Sequence, residues 1–303
     1  MRLIAILVAF LGVGAAAFWL LTIPERLPAS TIAAEGSGNA AKGERIFWAG
    51  GCASCHAAAG ATGDARRVLA GGAPLKTPFG SFQAPNISPD PVHGIGGWDL
   101  ADFANAMQRG VDPEGRHLYP AFPYASYQRM TPVDIADLFA FLKTLPRVAR
   151  TTPDNDLGFP FNIRRGVGLW KRAFMGDSAP IVALSASASQ AARGGQYLVE
   201  GPGHCGECHT PRTFRGVGGP DRANWLAGAA SLDGPGKVPN ITPSKAGIGG
   251  WSAGDIADYL ETGFTPDYDS VGGSMVKVQA NMAKLTPEDR AAIAAYLKAI
   301  PPH

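Results

Sequence analysis

The first strong pattern along the chain is an apolar run at its N-terminus, from Leu3 to Ile23, with no charged residue between Arg2 and Glu25. About 20 consecutive apolar residues are what an α-helix needs to cross a bilayer. Arg2 precedes the run, so the positive-inside rule places the N-terminus in the cytoplasm and the later residues on the far side. The pattern therefore predicts a transmembrane anchor over residues 1–25.

A cleaved secretory signal is the alternative interpretation of this segment. Residues 15–17 (Ala-Ala-Ala) resemble a cleavage site, but strongly apolar residues follow them, and we therefore favour an uncleaved anchor. Both interpretations export the chain. The following residues, 26–39, are rich in Ala, Gly, Ser and Pro and are predicted to form a flexible tether.

Beyond the tether, the pattern of the chain repeats itself at a spacing of about 153 residues. Three segments recur in the same order in both repeats: Pro-Asn-Ile at 85–87 and 239–241, Gly-Ile-Gly-Gly-Trp at 94–98 and 247–251, and Thr-Pro at 131–132 and 286–287. The chain is therefore a duplication. We predict one domain at 40–148 (the first repeat), a linker at 149–187 and a second domain at 188–303 (the second repeat).

Within each repeat the apolar positions recur at helical spacing, and no segment is predicted to form a sheet, so the predicted fold class is all-α. Asp99 and Ser252 suit helix N-caps, and Gly110 and Gly263 suit the C-terminal stops. Three helices are predicted in each repeat: at 40–48, at 98–109 and after Thr131-Pro132 in the first, and at 190–199, at 251–262 and after Thr286-Pro287 in the second.

All four cysteines lie in two Cys-x-x-Cys-His motifs, at residues 52–56 and 205–209. With this spacing, the two thiols bond to the vinyl groups of a haem and the adjacent histidine binds its iron. The sequence therefore predicts two haem c groups, attached through Cys52, Cys55, Cys205 and Cys208, with His56 and His209 as proximal iron ligands.

Three other uses of paired cysteines are less consistent with the pattern. Structural zinc brings two such pairs into one site, whereas here each pair lies in its own repeat. A thioredoxin-like redox motif requires an α/β context. Structural disulfides are compatible with an exported protein, but a two-residue gap is an unusual spacing for them.

Methionine is the typical sixth ligand of an electron-transfer haem because it raises the reduction potential. In the first repeat we favour Met130, just before the last helix, over Met107, which has the pattern of a core residue. In the second repeat Leu285 takes the position of Met130. We therefore favour Met275, in a Gly-rich loop that can approach a porphyrin closely, over Met282.

Further candidate haem contacts are aromatic and basic side chains. Trp98 and Trp251 occupy equivalent positions, and each indole N–H is a candidate donor to a haem propionate, with a core aromatic as the alternative. Four arginines are candidates to pair with propionates, with solvated surface charges as the alternative: Arg66, Arg67, Arg212 and Arg215.

The motifs together resemble a known family, the membrane-anchored multihaem cytochrome c subunits of periplasmic alcohol, gluconate and fructose dehydrogenases. The resemblance covers most of residues 40–301 and includes residues 204–212, 118–124 and 272–275, with both Pro-Asn-Ile and both Gly-Ile-Gly-Gly-Trp segments. It implies two tandem class I-type cytochrome c domains, and it favours Met275 as a ligand more than Met130. The best-known members have three haem motifs, whereas this chain has two.

The favoured function is electron transfer without substrate turnover, by a single-pass protein of the cell inner membrane with its haem domains in the periplasm. The resemblance implies a dehydrogenase as donor and quinone or another cytochrome as acceptor; an oxidase is a further candidate partner in the respiratory chain. The nearly balanced charge, 27 Lys+Arg against 25 Asp+Glu, argues against nucleic acid. Two alternatives stay open: a dihaem enzyme of the peroxidase or thiosulfate-oxidising type, and a wiring subunit of a respiratory supercomplex.

Overall fold

The N-terminal apolar run forms a helix that projects from the rest of the chain. The structure is a computed structural model that describes residues 1–28, 30, 36–231 and 236–303. Helix α1, Arg2–Leu21, has no buried residue. Within the described residues it is the one helix long and apolar enough to cross a membrane, and it is therefore a candidate anchor. Of the predicted tether, residues 29 and 31–35 lie outside the described residues.

The two repeats contain equivalent helices in the same order. In the first repeat these are α2 (Ala40–Ala49), α3 (Cys52–His56), α4 (Leu100–Arg109), α5 (Tyr124–Tyr127) and α6 (Pro132–Lys143). The linker contains α7 (Val167–Phe174). In the second repeat they are α8 (Gln190–Glu200), α9 (Gly206–His209), α10 (Ala253–Thr262), α11 (Met275–Met282) and α12 (Pro287–Ala299).

The predicted helix ends are confirmed by their hydrogen bonds and backbone angles. The Asp99 side chain accepts from a backbone N–H in the first turn of α4, and Ser252 does the same for α10, each in a reciprocal capping box. Gly110 and Gly263 end the same helices in the left-handed conformation, with φ of 59° and 80°. Local sequence therefore determines where these helices begin and end.

Each repeat is held together by a close crossing of its first and last long helices, α2 with α6 and α8 with α12. The crossings occur at Gly43 and Gly195, where a Cβ would lie 1.9 Å from the backbone oxygen of Asp137 and of Ala292, respectively. Only glycine permits this approach, which brings the apolar faces of the helices into contact. The buried core on these faces includes Ile46, Phe47, Ile135, Leu138, Leu198, Ile293 and Tyr296.

Gly195, at the α8–α12 crossing, gives a prediction whose control is the preceding residue, Gly194. Gly195→Ala is expected to destabilise the second repeat by about 2 kcal/mol, because the helices must separate to admit the methyl group. Gly194→Ala has no heavy atom within 4 Å of the added Cβ and is expected to stabilise by about 0.5–1 kcal/mol through helix propensity. Denaturant midpoints of the two holoproteins test this, and equal midpoints would contradict it.

The expectation that no segment forms a sheet is wrong, although the architecture is mostly helical. Strands β1 (Leu75–Thr77), β2 (Gly80–Phe82) and β3 (Asp156–Leu157) form an antiparallel sheet in the order β1-β2-β3. In the second repeat β4 (Ala229–Ala230) pairs with β5 (Lys237–Val238). These strands have two or three residues each, too few for an alternating pattern to appear in the sequence.

Candidate functional site

The two cysteine motifs form short helices, each directly after a sharp turn. Gly50 is the C-cap of α2, and Gly51, with φ of 62°, is the N-cap of α3. In the second repeat His204 adopts the left-handed conformation before α9, with φ of 39°. In a helical turn, residues three apart lie on one face, so Cys52 and Cys55 are presented together, with the histidine next to them. The turn therefore produces the arrangement that thioether attachment of a porphyrin requires.

The Pro-Asn-Ile segments fix the orientation of the motif histidines. The Nδ1 atom of His56 lies 2.8 Å from the carbonyl oxygen of Pro85, and that of His209 lies 2.8 Å from the oxygen of Pro239. A proton on Nδ1 leaves the lone pair on Nε2, which is the form of imidazole that binds iron. Burial lowers the pKa of both imidazoles, which also favours this neutral form. The residues present therefore fit a haem iron at Nε2.

The asparagine of each Pro-Asn-Ile segment forms hydrogen bonds that are equivalent in the two repeats. Asn86 accepts from the N–H of Ser88 at 2.9 Å, and Asn240 accepts from that of Thr242 at 2.8 Å. The amide groups donate to the chain that follows the last helix, Asn86 to Val148 at 2.7 Å and Asn240 to the His303 carbonyl at 2.8 Å. Each asparagine thereby holds the proline carbonyl in place for the histidine.

The Gly-Ile-Gly-Gly-Trp segments are tied to the last helix of each repeat. Lys143 donates through Nζ to the carbonyl of Trp98 at 3.1 Å, and Lys298 donates to that of Trp251 at 2.8 Å. Both indoles are partly buried against the core. In the part of the chain that the structure describes, neither indole N–H has a protein acceptor, which leaves both available to a ligand.

The cysteine environment is unlike a zinc site. Burial, followed by the neighbouring cysteine, raises the pKa of Cys52 and Cys205 to about 12, so both thiols are protonated in the chain without a bound group. Among the described residues no cluster of three or more His, Cys, Asp or Glu side chains could hold a metal ion.

The candidate sixth ligands lie on the segments before the last helix of each repeat. Met130 is 3% exposed, and its carbonyl accepts from Gln108 Nε2 at 2.8 Å. Met275 is the first residue of α11, directly after the Gly-rich loop, and is partly buried against the core. The alternatives Met107 and Met282 are both buried in the core.

The two repeats contact each other through their cysteine motifs, which the sequence did not predict. The Asn281 side chain donates to the Ser54 hydroxyl at 2.7 Å, and the Ser126 hydroxyl donates to Glu207 at 2.8 Å. Ser54 and Glu207 are the third residues of the two motifs, and Ser126 and Asn281 each lie five residues before the threonine cap of the last helix. Each motif therefore binds the same segment of the opposite repeat.

A second pair of contacts obeys the same relation. Arg45 forms an ion pair with Asp289 at 2.6 Å, and the Tyr197 hydroxyl donates to Asp134. Arg45 and Tyr197 each follow the crossing glycine of their repeat by two residues, and the two aspartates occupy equivalent positions in α6 and α12. The repeats are thus related by an approximate two-fold axis.

Three of the four arginines considered as propionate partners bind other groups of the protein. Arg66 donates to the Ala280 carbonyl at 3.0 Å, across the boundary between the repeats, and Arg212 forms an ion pair with Glu207 at 2.5 Å. Arg67 pairs with Glu44. No described contact assigns a role to Arg215. Arg66 and Arg212 are therefore partly buried side chains with protein partners.

A buried hydrogen-bond network in the second repeat contacts the cysteine motif at Gly206. Glu200, 2% exposed, accepts from the N–H of Ile181 at 2.6 Å and from the Tyr296 hydroxyl at 2.6 Å. Tyr296 accepts from the indole of Trp225 at 3.1 Å, and that indole lies against Gly206 of the motif, where a Cβ would be 2.0 Å from the ring. Sequence analysis missed these three side chains because they come from separate segments.

Comparison with known proteins gives the family of both repeats. The family model for cytochrome c matches residues 40–146 and 191–301. A protein of Cereibacter sphaeroides described as a diheme cytochrome c-type is 54% identical over 288 residues, which are 95% of this chain and 94% of that protein.

Two cytochrome subunits of dehydrogenases are more distant relatives. The fructose dehydrogenase cytochrome subunit of Gluconobacter japonicus is 36% identical over 262 residues, 86% of this chain and 52% of that subunit. The gluconate 2-dehydrogenase cytochrome c subunit of Pantoea cypripedii is 34% identical over 265 residues, 86% of this chain and 59% of that subunit. The chain spans little more than half the length of these subunits. It nevertheless matches along most of its own length, and it belongs to the cytochrome c family as a dihaem electron-transfer protein, not a catalytic subunit.

Proposed function

We propose that the two haems are held by the residues that the sequence singles out. Cys52, Cys55, Cys205 and Cys208 are the attachment points, His56 and His209 the proximal ligands, and Met130 and Met275 the distal ones. Trp98 and Trp251 donate to propionates. Bound haem supplies a one-electron Fe(II)/Fe(III) couple, and the chain sets its potential through ligands, burial and hydrogen bonds. The histidine–proline pairs carry this proposal, because they orient Nε2 identically in both repeats.

The contacts between the repeats support a role of the chain in conducting electrons between two other molecules. Each cysteine motif is bonded to the opposite repeat, at Ser54 and at Glu207. These bonds join the two motifs within one folded unit, so electron exchange between the proposed haem sites needs no separate docking of the repeats. The donor is a dehydrogenase of the exported compartment, as the names of the relatives suggest. The acceptor is quinone, another cytochrome or an oxidase.

The anchor is retained and places the haem domains in the periplasm, at the surface of the cell inner membrane. Three donors from distant segments bind backbone oxygens at the end of α1. Arg165 binds that of Trp19 at 3.0 Å, Arg172 that of Leu21 at 2.6 Å, and His117 that of Thr22 at 2.9 Å. A helix end otherwise leaves such oxygens unpaired. These contacts favour an anchor that is part of the folded protein over a signal that is removed.

Replacing the methionines tests both the ligands and the function. The oxidised holoprotein is expected to show the weak red absorption band of methionine-ligated ferric haem, because both irons have a sulfur ligand. Met275→Leu and Met130→Leu should each remove about half of the band, and the double variant all of it. Met107→Leu and Met282→Leu, which replace two core methionines, should leave it unchanged.

The same samples distinguish electron transfer from the enzymatic alternative. A protein with two six-coordinate haems should not turn over peroxide, because no iron has an open coordination position. High-spin iron in the unaltered protein, together with rapid reaction with peroxide, would contradict the proposed function.

A further inference from the structure

The linker has a surface whose chemistry the electron-transfer function does not explain. We infer that residues 159–172, named here the collar, lie on the outer surface of the bilayer and bind anionic phospholipid headgroups. This inference rests on the proposed function in one respect, namely that α1 is a retained anchor. It adds a second, peripheral membrane contact to that anchor.

The collar is fixed directly to the end of α1. Besides the bonds from Arg165 and Arg172 to the last carbonyls of the helix, Arg165 stacks on the Trp19 ring at 3.6 Å. Gly168 approaches so closely that a Cβ would lie 2.7 Å from Cα of Thr22. The predicted tether begins after this contact. The distance between collar and membrane is therefore set by a packed junction and not by a flexible segment.

The position of Trp19 places the collar at the boundary between lipid and water. Tryptophan near the end of a membrane-spanning helix lies at the level of the lipid headgroups. Arg165, which stacks on this ring, must lie at a similar depth. The collar extends from this point along the protein surface, through the stacking of Arg164 on Tyr119 at 4.9 Å and the bond from the Tyr119 hydroxyl to Phe161 at 2.9 Å.

The composition of the collar fits a membrane surface. Four of its apolar side chains are exposed: Phe159 (80%), Ile163 (46%), Leu169 (42%) and Phe161 (37%). Arg164, Arg165 and Arg172 are interspersed with them, and no acidic residue occurs between Asp156 and Asp177. Glu25, which follows α1, pairs with Arg172 at 3.5 Å, so among the collar arginines Arg164 and Arg165 carry the unpaired positive charge. Exposed aromatic and aliphatic side chains beside arginines are typical of segments that lie in the interface of anionic bilayers.

Photo-crosslinking of the full-length holoprotein in liposomes tests the inference. The photoreactive benzoylphenylalanine is introduced at Phe159 or Ile163, and at Val92 or Val133 as controls. Val92 is also 80% exposed, and Val133 is 50% exposed, but both lie outside the collar. In phosphatidylglycerol-containing liposomes, we expect about tenfold more lipid adduct at 159 and 163 than at 92 and 133. The yield at 159 should fall about threefold in phosphatidylcholine alone.

A third site separates failure of the inference from failure of the anchor. Benzoylphenylalanine at Leu11, in the middle of α1, should form lipid adducts whenever the anchor spans the bilayer. Adducts at 11 without adducts at 159 and 163 would overturn the collar and leave the anchor intact. Absence of adducts at 11 would overturn the anchor itself. In native membranes, a protein adduct at 159 in place of lipid would show that the collar binds a partner subunit and would also overturn the inference.

Discussion

Alanine in place of Cys205 and Cys208 is expected to leave one covalently bound haem per chain instead of two. In the proposed arrangement, thioether bonds to these two sulfurs are the covalent link between the second repeat and its haem, and the chain has no other cysteine outside the first motif. The haem absorbance of the purified protein after conversion to its pyridine complex should fall to half per mole of chain. The remaining haem should stay attached after denaturation.

The matched variant Cys52→Ala with Cys55→Ala should lose the other haem and give the same ratio. The two half-loaded proteins are expected to differ in spectrum, because the distal methionines proposed for their surviving sites, Met130 and Met275, lie on different segments. A ratio that stays at two in either variant would show that the cysteines do not attach the haem. The combined variant should hold no covalent haem.

Leucine in place of Glu200 is expected to destabilise the second repeat by about 3 kcal/mol, because several buried donors lose their charged acceptor at once. The N–H groups of Ile181 and Val182, the Gln196 amide and the Tyr296 hydroxyl all donate to this carboxylate. Burial, followed by the charge of Glu200, raises the pKa of Tyr296 above its usual range, so the phenol keeps the proton that it donates to Glu200. Calorimetry of the holoprotein measures the effect.

The matched control for this variant is Glu114→Leu. Glu114 is exposed and pairs with the exposed Arg116 at 3.1 Å, so its loss should cost less than about 1 kcal/mol. Equal effects of the two substitutions would mean that the network around Glu200 does not support the repeat. Without Glu200, Tyr296 no longer holds the Trp225 indole against Gly206 of the cysteine motif. The haem spectrum should therefore change in the Glu200 variant and not in the Glu114 variant.

Features that depend on neighbouring residues were predictable from the sequence. Asp99 and Gly110 define the two ends of α4 through bonds within a few residues, and Thr131 does the same for the start of α6. The cysteine motifs are equally local. The repeat of these signals gave the duplicated helical plan, which the matches to the cytochrome c family confirm.

Features that depend on distant residues were not predictable in this way. Asn281 and Ser54 are far apart along the chain, and neither residue type has a pattern that indicates a partner. The linker was predicted only as a connection, yet it contains α7 and the strand that completes the sheet with β2. Both elements are stabilised by segments that only the folded chain brings together.

The reciprocal contacts between the repeats have a consequence for the symmetry of the chain. In a symmetric homodimer, residue i of one subunit contacts residue j of the other, and j contacts i in return. Ser54 with Asn281 and Glu207 with Ser126 follow this rule, as do Arg45 with Asp289 and Tyr197 with Asp134. Within one chain, the two repeats therefore face each other as the subunits of an isologous dimer do. The two copies of the contact at the cysteine motifs differ in chemistry, since asparagine faces serine in one and serine faces glutamate in the other.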